Sequence, residues 1–192
     1  NQDFNNEREL RTRDSLLTLT RPMGEIFAGL SWISRVALTL PLSERSNKTD
    51  GLITAFRINP LFSLNASPLL SGLSVIYRPT FIKNFYQYES SLIGRSNFDY
   101  TINQQLTLFY AITQSVFLSL DNTYIKSWTY SGNTNDFYSF DQSLTVVLTK
   151  GLSGFVGHAI GGNALAVNGQ ETDIKVYDLD RSSYYLGVSY QF

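Results

Sequence analysis

The chain contains no cysteine. That excludes disulfide staples, thiolate metal sites and a cysteine nucleophile at once. Histidine occurs once, at His158, so no histidine cluster can bind a metal and a single imidazole is on hand as a general base. Charge is scarce as well. The 15 Lys+Arg and 16 Asp+Glu give a net charge of −1, and charged residues are 16% of the 192, against roughly 25% in ordinary soluble domains. Nothing resembles the basic patch of a nucleic-acid binder. No apolar run reaches the roughly 18–20 residues of a transmembrane helix. The closest, Ile26 to Leu42, is interrupted by Ser31, Ser34, Arg35 and Thr39. No signal-peptide pattern is visible, so a processed form is expected. No cofactor and no metal are expected either.

What the chain has is alternation. From Phe98, one parity reads Phe98, Tyr100, Ile102, Gln104, Leu106, Leu108, Tyr110 and Ile112; the other reads Asp99, Thr101, Asn103, Gln105 and Thr107. After Gln114–Ser115 the pattern restarts. Val116, Leu118, Leu120, Tyr124, Trp128 and Tyr130 share one parity, while Ser119, Asp121, Thr123 and Ser127 share the other. A period of two is a β-strand signal, because successive side chains point to opposite faces of a sheet. This is a long hairpin with one apolar and one polar face. A water-soluble antiparallel fold would turn the apolar face inward. Three features favour a membrane instead. Each strand is long enough to cross a bilayer, which takes about 9–11 tilted residues. Aromatic residues, 14% of the chain, gather towards strand ends, as interfacial girdles do. The polar parity carries Thr, Ser, Asn, Gln and Asp rather than the Lys/Glu mixture of a solvated surface. A mean hydropathy of −0.11 does not oppose this, since half of every barrel strand is polar.

The same pattern predicts strands over Ile26–Leu42, Leu52–Asn59, Leu73–Phe81, Phe137–Thr149, Gly154–Gly162 and Ser183–Phe192 besides the hairpin. An amphipathic helix over Ile26–Ser34 is an alternative. Loops are expected at Ser43–Gly51, Ile82–Asn97, Ser131–Asp136 and Asn163–Ser182, with Asn168–Gly169 as a hairpin tip. Tight turns fall at Thr113–Ser115 and Lys150–Ser153. The longer Pro60–Gly72 connection departs from that rule. The expected fold is all-β, a transmembrane antiparallel up-and-down β-barrel of eight strands. Counting Ser15–Thr20 and splitting Ile26–Leu42 would give ten. Residues 1–24 are expected to be a polar N-terminal extension, periplasmic or mobile, and 25–192 the barrel.

At the end of the chain, Tyr184, Leu186, Val188, Tyr190 and Phe192 alternate with Tyr185, Gly187, Ser189 and Gln191. This resembles the C-terminal strand of bacterial outer-membrane β-barrel proteins, in the size range of the OmpA and OmpX type. The resemblance implies localisation in the bacterial outer membrane, contact with its lipid and lipopolysaccharide, and recognition by the outer-membrane assembly machinery. It implies a structural, surface-interaction or complex-anchoring role. A narrow pore for small solutes or ions, a lipid-modifying enzyme and a soluble ligand-binding barrel are the alternatives. The outer-membrane deacylases carry a His-x-Ser motif, which here reads His158-Ala159-Ile160 without the serine, so no catalytic residue is assigned.

Six charges fall on the polar parity: Arg35, Arg57 and Arg78 on the first three strands, Asp99, Asp121 and Asp141 on the next three. An eight-stranded interior is just wide enough for side chains to fill, and buried charges need partners. An Arg/Asp network plugging the lumen is therefore expected, with a charge-lined ion path as its rival. On the apolar parity, Gln104, Asn122 and Gln142 interrupt three neighbouring strands roughly 20–25 Å above the tight turns. They either mark the upper edge of the apolar band or contact a protein partner or second subunit laterally.

Overall fold

The structure, a computed structural model, describes residues 13–27, 29–66, 70–166, 169 and 171–190. It is an antiparallel sheet of ten strands: β1 (Ser15–Phe27), β2 (Leu30–Leu40), β3 (Leu52–Ile58), β4 (Leu61–Asn65), β5 (Leu73–Tyr86), β6 (Phe98–Ala111), β7 (Val116–Thr129), β8 (Thr134–Thr149), β9 (Leu152–Asn163) and β10 (Ser183–Tyr190). Successive strands pair with one another, except that β3 and β4 both lie between β2 and β5, as short up-and-down connections require.

The count is ten and not eight, for two physical reasons. First, the expected strand Ile26–Leu42 is the end of one strand and the whole of the next. Gly29 takes φ +82 between them, and a Cβ there would stand 2.8 Å from the Asn65 carbonyl oxygen, so only glycine makes this corner. Ser15–Phe27 then runs back along β2, from Ser15 opposite Leu40 to Phe27 opposite Leu30. The expected extension over 1–24 is thus cut at its C-terminal end: residues 15–24 belong to β1. Asp14 is also tied down, accepting the Ser43 N–H at 2.9 Å and the Ser46 hydroxyl. Second, part of the Pro60–Gly72 connection is strand. Proline has no N–H to give a ladder, and β3 stops before Asn59–Pro60. Beyond it β4 resumes, pairing with β2 through Trp32–Phe62 and with β5 through Phe62–Tyr77. β3 and β4 thus occupy one place in the sheet, between β2 and β5. Among the described residues β1 and β10 have one neighbouring strand each.

The two faces are sorted as the alternation requires, and the outcome is the reverse of a soluble domain. Among the described residues the buried hydrophobic side chains are Ala37, Ala55, Ala66, Tyr138, Ile160 and Ala164. No cluster of large aliphatic residues fills an interior. The apolar parity is instead exposed on most strands, with Leu19, Leu38, Ile58, Phe81, Leu106, Val156 and Leu186 all exposed, while on β4 and β7 it is half-buried. Leu186 reaches 85% exposure. Among the described residues no helix is long and apolar enough to cross a membrane.

Strand ends separate the connections into two groups. At one end lie the short turns at 28–29, 112–115 and 150–151, with 66–72; at the other lie 41–51, 87–97, 130–133 and 164–182. The long-loop end is knitted together. Asn97 is buried, and its amide donates to the Asp50 and Tyr88 carbonyls at 2.9 and 3.0 Å. Leu92 N–H reaches the Thr49 carbonyl at 2.9 Å. The excursion 164–182 folds against the apolar face of β8 and β9: Lys175 N–H donates to the Tyr138 hydroxyl at 3.0 Å, and Tyr138 is 1% exposed. Gly169 sits in a turn with its N–H on the Ala166 carbonyl at 2.8 Å; its expected partner in the hairpin tip, Asn168, lies outside the described residues.

Candidate functional site

The chemistry-bearing groups collect on the polar face. Arg35 on β2, Arg57 on β3 and Arg78 on β5 all point there, on adjacent places in the sheet: Arg57 pairs with Ala37 of β2 and Ile82 of β5. Arg78 donates to Gln105 Oε1 at 3.2 Å. The Nε atoms of Arg57 and Arg78 are buried without a hydrogen-bond partner, as are Asn59 Oδ1 and Asn103 Oδ1 close by. Asp121 and Asp141 hold the same face on β7 and β8. Asp121 accepts from the Thr107 hydroxyl and, at 3.1 Å, from Ser119. Asp141 accepts from the Tyr185 hydroxyl.

The expected Arg/Asp network is not assembled. Among the described residues no ion pair joins Arg35, Arg57 or Arg78 to Asp121 or Asp141. The arginines form one bank on β2, β3 and β5, and the carboxylates another on β7 and β8; Arg78 bonds the neutral Gln105, and the carboxylates take hydroxyls. Asp99 stands apart from both banks. A register shift between Phe98 and Tyr100 breaks the alternation, and Asp99 meets Lys83 in an ion pair instead. Lys83 lies on the apolar parity, 5.6 Å from the Tyr130 ring centroid. Towards the short-turn end, aromatic rings take over the polar face: Phe109 stacks on Phe117 at 5.5 Å and Phe155 approaches Tyr185 at 6.3 Å.

On the apolar face, aromatic residues form two groups. Trp32, Phe62 and Tyr77 stack across β2, β4 and β5 at 6.0 and 6.4 Å. Nearer the long loops, across β5, β6 and β7, Phe81 meets Tyr100 at a tilt at 6.4 Å and Tyr100 stacks on Trp128 at 4.4 Å. Between the ends runs the amide row. Gln104 is seven residues from the β6 end at Ala111, Asn122 six from Val116, and Gln142 seven from Thr149. At about 3.3 Å per residue on strands tilted about 40°, the row stands about 15–18 Å above the strand ends. That is lower than expected, because the strands stop short of the turn centres. His158, six residues from Leu152 and paired with Gln142, is a fourth member that alternation on β9 had left unassigned. Gln104 Oε1 accepts from Tyr77 at 3.5 Å. Within the C-terminal signature, Tyr184, Leu186, Val188 and Tyr190 share the apolar face of β10, while Phe192 lies outside the described residues.

His158 does find a serine, though not on its own strand. Its Nε2 is 2.9 Å from Ser182 Oγ at the end of the excursion. Among the described residues no carboxylate is hydrogen-bonded to the pair as the third member of a catalytic arrangement. Asp178 donates its backbone N–H to Ser182 at 3.2 Å, while its carboxylate is held by Lys175 at 2.7 Å. Rings of Tyr177 and Tyr184 flank the imidazole at 6.1 and 5.1 Å. The contact anchors the excursion to β9.

No protein-family model matches the chain, and no curated protein matches it. Among solved structures it is similar to the NanC porin in a rhombohedral crystal form, at 13% identity and a TM-score of 0.45, over 93% of this chain and 94% of that one.

Proposed function

We propose that the chain is an integral β-barrel protein of the bacterial outer membrane, and that its polar face lines a narrow path for small solutes or ions. The observation that carries this reading is the inversion of the two faces. Most of the described strands expose Leu, Ile, Val, Phe or Tyr, a surface that water penalises and hydrocarbon does not. Aromatic groups towards both ends of that surface suit the two membrane interfaces. Lipid and lipopolysaccharide are then its surroundings, and the alternating residues of β10 are what the assembly machinery would read.

The path is favoured over a plugged lumen because the two charge banks do not meet. A plug of buried charge is stable only when the charges pair. Here Arg57 and Arg78 carry unpartnered Nε atoms, while Asp121 and Asp141 take hydroxyls. Separated charges on one wetted wall are the arrangement of a selective path. A surface-interaction or anchoring role would use the same barrel and its knitted loops. Catalysis is left out of the proposal: His158 and Ser182 lack an orienting carboxylate, and a serine-reactive fluorophosphonate is expected to leave Ser182 unlabelled.

The test is reconstitution into a planar bilayer from detergent. Discrete conductance steps, with a detergent-solubilised protein whose mobility in SDS changes on heating, are the expected result. A protein that stays dispersed without detergent overturns the membrane reading. A protein that inserts but shows no steps overturns the path alone.

A further inference from the structure

The two edges of the sheet run the same way. Ten strands fill nine places, since β3 and β4 share one. Every pairing is antiparallel, so the first and last places point in one direction. β1 begins at the long-loop end, where Ser15 lies opposite Leu40 and Asp14 accepts from Ser43 and Ser46. It ends at the short-turn end. β10 does likewise, from Ser183 opposite Ala159 to Tyr190 opposite Leu152. Among the described residues no ladder joins them. Both are bare in a way that inner strands are not. All of β1 is exposed, on both faces, and so is β10 except for Tyr185 and Gly187. By contrast β6 and β7 are mostly half-buried.

An edge strand leaves a row of N–H and C=O groups unpaired. Water can serve them and hydrocarbon cannot, which is why only closed sheets span a membrane. On the membrane reading proposed above, on which this inference rests, both edges must be covered. A further strand between them would run from the short-turn end to the long-loop end, and it would need an apolar parity for lipid. The chain that leads into β1 at the long-loop end lacks one. In residues 1–12 the apolar side chains are Phe4 and Leu10, and Gln2, Asn6 and Arg8 share their parity. A second copy the same way up in the membrane presents edges of the same direction, so it supplies no antiparallel ladder either. The two edges do match each other. Leu17 and Leu19 stand opposite Leu38 and Val36 on the apolar face, and Leu186 stands opposite Val156 on the same face. On the polar face Thr18 and Thr20 lie opposite Ala37 and Arg35, and Ser189 opposite Ser153.

We propose that β1 and β10 seal the wall by pairing with each other, as a parallel seam in an otherwise antiparallel barrel. Parallel bonds are slanted and slightly less stable per residue than antiparallel ones, so this seam is weaker than the ladders beside it.

The chain has no cysteine, so paired substitutions report the seam directly. Leu17, Leu19 and Arg21 are each combined with Tyr184, Leu186 and Val188 as double-cysteine variants, all on the apolar-parity face. These positions are exposed, so a cysteine there disturbs no packing. Thr18→Cys with Leu186→Cys puts the thiols on opposite faces and is the control. Each full-length protein is reconstituted in lipid, checked for heat-dependent mobility in SDS, oxidised with copper phenanthroline and run again after heating.

The expected result is an intramolecular disulfide in pairs that keep a constant difference in residue number, because parallel neighbours advance in step. Leu17→Cys with Tyr184→Cys would then react together with Leu19→Cys with Leu186→Cys. Pairs that keep a constant sum instead, Leu17→Cys with Leu186→Cys and Leu19→Cys with Tyr184→Cys, mark an antiparallel seam and overturn the proposal. So does a band of doubled mass, which joins the edges of two copies, or a control that reacts as readily as the same-face pairs. If the protein inserts and no pair reacts, the seam is wrong and the membrane reading stands. If the unsubstituted protein stays dispersed without detergent, both fall.

Discussion

Tyr185 lies flat over Gly157 and donates its hydroxyl to Asp141, crossing from β10 over β9 to β8. A Cβ on Gly157 would stand 2.1 Å from the Tyr185 ring. Glycine here is not a turn residue; it is the gap that lets one side chain staple three strands on the polar face. Gly157→Ala should therefore destabilise the sheet by about 1–3 kcal/mol, the usual range for overpacking. Tyr185→Phe keeps the ring and removes the donor, leaving Asp141 short of a partner at a cost of about 1–3 kcal/mol. The double variant should lose less than the sum of the two, because both break one interaction. Urea unfolding in detergent, followed by tryptophan fluorescence, measures all three.

A second expectation follows from the company Arg78 keeps. Had it been paired to a buried carboxylate, its loss would cost about 3–5 kcal/mol. Its partner is the neutral Gln105, so Arg78→Ala should cost no more than about 1–2 kcal/mol. The larger effect should fall on selectivity. Replacing Arg35, Arg57 and Arg78 with Gln removes one charge bank and leaves Asp121 and Asp141. The reversal potential in a potassium chloride gradient should then shift towards cation preference. An unchanged potential with a large loss of stability would restore the plug.

Much of this was legible from alternation, and the failures have local causes. The parity of Phe98–Tyr130 alone placed Asp121 on the polar face and Asn122 on the apolar one, because an uninterrupted period of two leaves no freedom. Asp99 escaped it because a register irregularity beside Tyr100 interrupts the alternation there, and it pairs with Lys83. Ser15–Thr20 was legible as a strand in the ten-strand alternative, but its continuation to Phe27 was hidden by Pro22 and Gly24, which blur the period without preventing pairing to β2. β4 was hidden by Pro60, a break in the ladder that the chain simply passes. Lys126–Asp136 and His158–Ser182 join positions 10 and 24 residues apart. A hairpin register can foretell the first, but nothing local foretells that the excursion folds back onto its own sheet.

That excursion carries a pH signature. Its Asp178 carboxyl is held below the ordinary value of 3.8, chiefly by the hydrogen bond from Lys175 and then by the Asp180 N–H. The Lys175 ammonium is raised above 10.5, chiefly by the bond to Asp178. For Asp178 the stabilisation is fully present above 3.8 and fades as pH falls through its lowered value. For Lys175 it is fully present below 10.5 and fades as pH rises through its raised value. The excursion should hold its order unchanged between about pH 5 and 9 and loosen beyond both extremes. With no native cysteine, a nitroxide on Leu179→Cys, an 82% exposed position, reports this by electron paramagnetic resonance. Adding Lys175→Gln should mobilise the label throughout the plateau.

The amide row gives the last expectation. Gln104, Asn122, Gln142 and His158 lie within one residue of the same height above the strand ends. Below them the apolar parity is aliphatic, with Leu106, Leu120, Leu144 and Val156; above them come Tyr124, Lys126, Trp128 and Asp136. Lys126 and Asp136 are paired at 3.1 Å on that upper stretch, a place no ion pair would occupy in hydrocarbon without cost. In the proposed membrane setting the row would sit where the lipid tails give way to headgroups, with water and headgroup atoms for its amides to bond. Replacing Gln104, Asn122 and Gln142 with Leu should lengthen the apolar band upward and draw Trp128 deeper. Quenching of Trp128 fluorescence by lipids brominated along the acyl chain should rise, with Trp32 changed to Phe to isolate the signal. Size in mild detergent should stay the same. If the triple variant instead dissociates a larger species into a smaller one with quenching unchanged, the amides were holding a second protein, and the row is a lateral contact rather than the edge of the membrane.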